Sequence, residues 1–294
     1  MKFLLVRPLV LLAALFALPI FAVAQQQKVP VPNRPPQLVR TTMRHELRRF
    51  GYGGSVTIIG APEGTITIEA WPRNEVDISA EIQLRADTEA DLDRLAAVNG
   101  FVLDEDSNHL RLITTGTHDK IFMRATSKKF PKTLLGLPWK LDYRIRVPVV
   151  TDIEVNAGRG PINITGVEGH ILLSATDSET NVTLSGGTLS ATIATGKFRL
   201  SIPSRSWRGV GADVRLAAGQ ITLEIPQGFN GDLDGEILRA GKIEDLYGGL
   251  EPREKPGLTP QNMKARAGIG GASFKFTVGD GNIYIKKQEV DSKP

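Results

Sequence analysis

The sequence predicts an all-β protein whose second half, residues 151–287, is a solenoid of stacked short strands. Three observations carry that reading. Between Asp152 and Ile285 short runs alternate apolar and polar residues, the period of a strand with one buried face. Gly and Asn punctuate these runs where a chain must turn. Helical spacing of apolar residues is nearly absent from this half. The strand cores are Ile153 with Val155, Ile162 with Ile164, Ile171 with Leu173, Val182 with Leu184, Phe198 with Leu200, Ile221 with Leu223, and Ile283 with Ile285. In each pair the two side chains face a shared core and the residue between them faces out. The spacing is 9 residues from Ile153 to Ile162 and 9 again to Ile171, then 11 to Val182 and 16 to Phe198. Such rungs bury their apolar sides only by stacking, so stability is shared along the stack.

At the N-terminus Lys2 and Arg7 precede an apolar run, Leu9 to Phe21, that ends in Ala22-Val23-Ala24. This is the pattern of a secretory signal peptide over residues 1–24, cleaved before Gln25, and it predicts export to the periplasm or cell surface. The run is short for a membrane span and Pro19 interrupts it; nothing later is apolar enough to cross a bilayer. Residues 25–40, with Pro30, Pro32, Pro35 and Pro36, read as a tether. The region 41–150 reads as β-rich with one helix. Arg40 to Phe50 fits a helical face through Met43, Leu47 and Phe50, yet its position before Val56 favours an edge strand whose arginines discourage further pairing. Strands follow at Val56–Ile58, Ile66–Ile68 and Val76–Leu84. The helix is predicted over Thr88–Val98, with Thr88 as N-cap, acids in the first turn, Leu92 and Leu95 on one face and Gly100 beyond its end. A hairpin of Phe101–Leu103 and Leu110–Leu112 comes next, and Asp142–Pro148 leads into the repeats. Glu251 to Pro256 reads as an exposed insertion that breaks the ladder, Lys286 and Lys287 as charges blunting the last rung, and 288–294 as a polar tail.

Composition removes several functions. The chain has no cysteine, which excludes disulfides, thiolate metal sites, a cysteine nucleophile and a lipid-bearing cysteine. Removing Lys2 and Arg7 with the signal leaves 34 basic against 32 acidic residues, a balance unlike that of a nucleic-acid binder. His45, His109, His118 and His170 show no metal-ligand spacing, and no hydrolase motif is present, so neither a catalytic residue nor a cofactor is predicted. The acids Asp104, Glu105 and Asp106, and Asp232, Asp234 and Glu236, suggest calcium only in part, because neither set completes a calcium loop.

The sharpest local feature is Lys120 to Arg146. Lys120, Arg124, Lys128, Lys129, Lys132, Lys140, Arg144 and Arg146 surround the apolar tip Leu134, Leu135, Leu137 and Trp139. Cations around exposed Leu and Trp suit contact with an anionic membrane surface. The competing reading, and the favoured one, makes the four apolar residues a cap on an open solenoid end with the lysines solvated.

A resemblance joins these pieces. The runs Phe50-Gly-Tyr-Gly-Gly-Ser-Val-Thr-Ile-Ile-Gly60, Gly64-Thr-Ile-Thr-Ile-Glu-Ala-Trp71 with Asn74-Glu-Val-Asp-Ile78, and Tyr143-Arg-Ile-Arg-Val-Pro148 leading into Val155-Asn-Ala-Gly-Arg-Gly-Pro-Ile162 resemble the bacterial putative-adhesin domains of unknown function. Gly160-Pro-Ile-Asn-Ile-Thr-Gly166 stands where that family has its glycine-flanked repeat, while Lys128 to Lys140 and Glu251 to Pro260 depart from it. The resemblance implies envelope location and a single-stranded, right-handed β-helix-like solenoid, and brings no catalytic or binding residue. The expected function is a non-enzymatic adhesin or scaffold for envelope glycan, lipid or a protein partner. Outward rows of residues such as Asn163, Thr183 and Arg199 would supply its ladders, and self-association is open to it. The alternative is a β-helical polysaccharide-degrading enzyme, which would gather acids and a basic residue on one wall.

Overall fold

The computed structural model describes residues 38–126 and 129–288; the expected signal, nearly all of the tether, and residues 289–294 of the tail lie outside the described residues. The described chain is all-β, built from parallel and antiparallel pairs in one large mixed sheet. Leu38 to Arg40, expected to end the tether, already belong to β1 (Leu38–Arg49), which pairs antiparallel with β4 (Glu75–Ala86). Met43 and Leu47 are four residues apart, a spacing that a helix face and a strand face share, and here it is the strand. Between them lie β2 (Ser55–Ile59) and β3 (Ile66–Trp71). The helix α1 (Glu89–Ala96) forms where the sequence places it. The Thr88 hydroxyl accepts the Asp91 N–H at 3.1 Å, and Leu92 and Leu95 are buried. The hairpin follows as β5 (Gly100–Asp106) and β6 (His109–Thr115).

The expectation of one helix needs correction. A second, α2 (Lys120–Thr126), and a 3-10 turn at Lys132–Leu134 precede β7 (Trp139–Pro148). With seven residues α2 is too short to display a period, and it is started locally: Asp119 Oδ1 accepts the Ile121 and Phe122 N–H groups at 2.8 and 3.0 Å.

The repeat half contains β8 (Asp152–Arg159), β9 (Ile162–Thr165), β10 (His170–Thr183), β11 (Gly186–Ser201), β12 (Arg208–Ile225), β13 (Gly231–Ala240), β14 (Ile243–Leu246), β15 (Leu250–Pro252), β16 (Asn262–Ala267) and β17 (Ser273–Lys287). Every core pair named from the sequence is at most 2 % exposed, so the alternation assigned the inward face correctly. Parallel, in-register pairing runs β8 and β9 to β10, then β11, then β12. Ile153, Ile171, Leu189 and Ala212 thus stack in one inward row, and Ile162, Thr180, Phe198 and Ile221 in another. Thr180 is fully buried in that apolar row, and its hydroxyl pairs with Ser178 Oγ at 2.9 Å. β2 and β3 pair in parallel with β8 and β9, so one buried cluster runs from Phe50 to Ile285.

Two further expectations are corrected. β17 is not the last rung: it lies between β12 on one side and β13 with β14 on the other, parallel to all three. Chain order and layer order therefore differ, and Lys286 and Lys287 do not end the stack. Nor does the whole of Glu251 to Pro256 leave the ladder. β15 pairs antiparallel with β16, which pairs antiparallel with β13. Pro252 is tolerated there because β15 is a short edge strand with no further partner among the described residues.

Candidate functional site

Between β6 and β7 the chain walls a cleft of about 660 Å³. Buried Met123 and Thr117 form its base, Phe130 and Leu135 add apolar surface, and exposed Lys120, Arg124 and Lys132 border it. Local hydrogen bonds hold this loop-rich piece in place. The Thr117 N–H donates to Asn99 Oδ1 at 2.9 Å, and the Asn99 amide donates to the Leu95 carbonyl at 3.0 Å, tying the cleft to the end of α1. The His118 ring lies 5.4 Å from the Trp139 ring, tilted by 38°, with its other side open to solvent. Partial burial lowers its pKa against the opposing charge of Asp119, so His118 is neutral at pH 7 and adds nothing to the cation count.

The structure divides the sequence-predicted site residues. Leu134 and Trp139 are buried in the core, and Leu137 packs against it, so these three present little surface. Leu135 is 40 % exposed and Ile121, on α2, is 80 % exposed. Lys140 is held by Asp142 at 2.7 Å. Lys128 lies outside the described residues. Lys129 and Lys132 are exposed, and among the described residues no carboxylate comes within ion-pair distance of Lys120, Arg124, Lys129 or Lys132. Sequence reasoning missed Met123 and Phe130 as lining of the cleft, and the exposed Ile121 on α2. Asp119, with Lys120 between it and the apolar triplet Ile121, Phe122 and Met123, was the available sign of the helix that carries Ile121 and Met123.

Arg144 and Arg146 point elsewhere, to Glu69 at 3.5 Å and to Asp77. Asp77 is 5 % exposed, and His45 Nε2 meets its other oxygen at 2.6 Å. Burial alone would raise the Asp77 pKa; hydrogen bonds from Arg146 and His45 outweigh it and hold the carboxyl below the usual range. A depressed carboxylate contributes stability above its unfolded pKa, near 4, and that stability is lost as pH falls through the folded value. Asp77→Asn is expected to cost about 2 kcal/mol at neutral pH, because a nearly buried charge-assisted pair is broken. It should also flatten the acid limb of a melting-temperature titration from about pH 7 to about pH 2. An acid limb as steep as that of the parent protein would refute the assignment.

Arginines take up part of each acidic set. Arg266 holds Asp232 at 2.9 Å and lowers its pKa, Arg253 pairs with Asp234, and Arg111 pairs with Asp104. Among the described residues no three His, Asp or Glu side chains gather as a metal site would need. On the outward face Asn163, Asn181 and Arg199 share one row and Thr165, Thr183 and Ser201 the next. No described helix is long and apolar enough to cross a membrane.

No family model matches the chain, and no curated protein matches it. It is similar to the crystal structure of a putative cell adhesion protein from Clostridium sporogenes, at 10 % identity, covering 84 % of this chain and 100 % of that one with a TM-score of 0.43. A putative adhesin from Bacteroides fragilis is similar at 14 % identity, covering 84 % of this chain and 97 % of that one, TM-score 0.35. A putative lipid binding protein from Parabacteroides distasonis is similar at 11 % identity, over 84 % and 97 % of the two chains, TM-score 0.23.

Proposed function

We propose that this chain is an exported, non-enzymatic, adhesin-like protein of the bacterial envelope that docks on an anionic lipid surface through the cleft between β6 and β7. In this reading the in-register parallel layers are turns of a single-stranded, right-handed β-helix-like solenoid over 151–287, capped at one end by 41–150. The observation that carries the function is that four cations which meet no carboxylate among the described residues share a segment with exposed apolar side chains. Among the described residues Lys120, Arg124 and Lys132 border the cleft beside Leu135, with Lys129 and the exposed Ile121 on the same segment, and none of these cations meets a carboxylate, whereas Lys140, Arg144 and Arg146 are already held by acids. Each basic residue near an anionic surface adds about 1 kcal/mol, so four together shift binding by roughly a thousandfold before Ile121 enters the interface.

The test is co-sedimentation of residues 25–294 with phosphatidylcholine vesicles, with and without about one-third phosphatidylglycerol. Binding to the anionic vesicles alone, weakened by salt, is expected. Lys120→Glu combined with Lys132→Glu, and separately Ile121→Asp, should abolish it without moving the melting temperature. Equal binding by the variants, or none by the parent protein, defeats the proposal.

A further inference from the structure

The register of the sheet joins elements far apart in sequence into one outer face. Starting at His45 on β1, the directly opposed residues are Ser79, Arg144, Thr67, Asn163, Asn181, Arg199, Thr222, Tyr284 and Glu244. The adjacent row starts at Leu47 and continues through Asp77, Arg146, Glu69, Thr165, Thr183, Ser201, Glu224, Lys286 and Leu246. Ten strands at a spacing of about 4.8 Å make this face about 43 Å long. It crosses antiparallel β1, β4 and β7 and then the parallel layers without a break in side-chain direction.

We propose that this face binds an extended, uncharged polysaccharide laid across the strands, at a site distinct from the cleft between β6 and β7. Charge decides the polymer class. Arg144, Arg146, Arg199 and Lys286 are matched by Glu69, Asp77, Glu224 and Glu244, and three of the cations are paired within the face: Arg144 with Glu69, Arg146 with Asp77, and Arg199 with Glu224 at 3.3 Å. Such a face has no net field to attract nucleic acid or a polyanion. Apolar content argues against a protein partner, since Leu47, Leu246 and Tyr284 are the face's large apolar residues, too few and too scattered for the core of a protein interface.

What remains is a contiguous uncharged centre of Thr67, Thr165, Thr183, Asn163, Asn181 and Ser201, groups that both donate and accept hydrogen bonds. The Asn181 amide donates to Asn163 Oδ1 at 3.2 Å, which fixes both carboxamides side by side before any ligand arrives. Fixed donors and acceptors repeating at the strand spacing match a chain of hydroxyl-bearing rings of similar repeat, and prior ordering removes part of the entropic cost of binding.

The test is electrophoresis of residues 25–294 in native gels containing galactomannan or hydroxyethylcellulose, with polygalacturonate as the charged comparison. Retardation by at least one neutral polymer, insensitive to salt, is expected. Asn163→Ala, Asn181→Ala and Thr183→Val together should weaken it by about tenfold or more, because three hydrogen-bonding side chains are lost at once. Thr165→Val with Ser201→Ala provides a second set should the first lower the melting temperature. The Lys120→Glu, Lys132→Glu protein should be retarded like the parent, which separates this site from the lipid-docking one. Retardation by polygalacturonate alone, equal retardation of both row variants, or none by either neutral polymer would overturn the inference.

Discussion

A chain ending at Ala272 will not fold, although it lacks only the last 22 residues of the sequence. The loss removes β17, whose Phe274, Phe276, Val278, Ile283 and Ile285 are fully buried. Five such side chains contribute about 1.5–3 kcal/mol each, about 10 kcal/mol together, as much as a whole domain has to lose. Position makes the loss worse than removing an outer layer. β17 pairs with β12 from Gly211 opposite Ser273 to Ile225 opposite Lys287, and on its other side with β13 and β14. Cutting it out leaves two rows of backbone groups without partners and separates β13 to β16 from the rest of the stack. It also empties the centre of an aromatic cluster, since Phe274 sits edge-on to Trp207 at 5.3 Å and to Phe229 at 5.6 Å. Near-ultraviolet circular dichroism and limited proteolysis of the truncated chain test this. A stack laid down in chain order would lose only its last layer and keep a cooperative melt; such a melt would refute the central placement of β17.

That placement also marks where the sequence stops being legible. Alternation found the buried side chains because period 2 is a property of each strand alone, and α1 was found because Thr88, Leu92 and Leu95 act within one helix. Which strand neighbours which is decided by packing between distant segments. Nothing in Ser273–Lys287 distinguishes an inner layer from an outer one. Ile171 with Leu173 and Val182 with Leu184 looked like two strands because a bend separates them, yet β10 carries its pairing through the bend. The candidate site divides along the same line. Lys140 and Asp142 are two apart on one strand and so share a face, yet the sequence reading left Lys140 among the free cations. Arg146 with Asp77 depends on the β4–β7 register, 69 residues away in sequence, and could not be read. The basic character of the tip was visible, but which of its cations were left free required the contacts.

The bend itself supports the second large prediction: Gly219→Ala should destabilise the protein by about 3 kcal/mol or more. Ser178, Gly196, Gly219 and Gly281 stand opposite one another in successive layers, forming one corner of the stack. Gly219 has φ +137°, a region closed to L side chains, and a Cβ there would overlap the carbonyl oxygen of Gly196. The obstructing atom is backbone in the adjoining layer, so relief requires the layers to shift rather than a side chain to rotate. Ser178, the member of the column with a side chain, shows the alternative: it has no positive φ, and its hydroxyl donates to the Gly160 carbonyl at 2.8 Å. Gly271→Ala separates the two causes. Gly271 has a comparable φ, +145°, but a Cβ there meets only the Asn230 carbonyl oxygen at 3.7 Å, an ordinary contact, so the conformational cost alone remains. Denaturant unfolding of the two variants side by side gives the answer. A clear excess for Gly219→Ala assigns the difference to contact between stacked backbones, and equal losses would mean that the corner can open without cost.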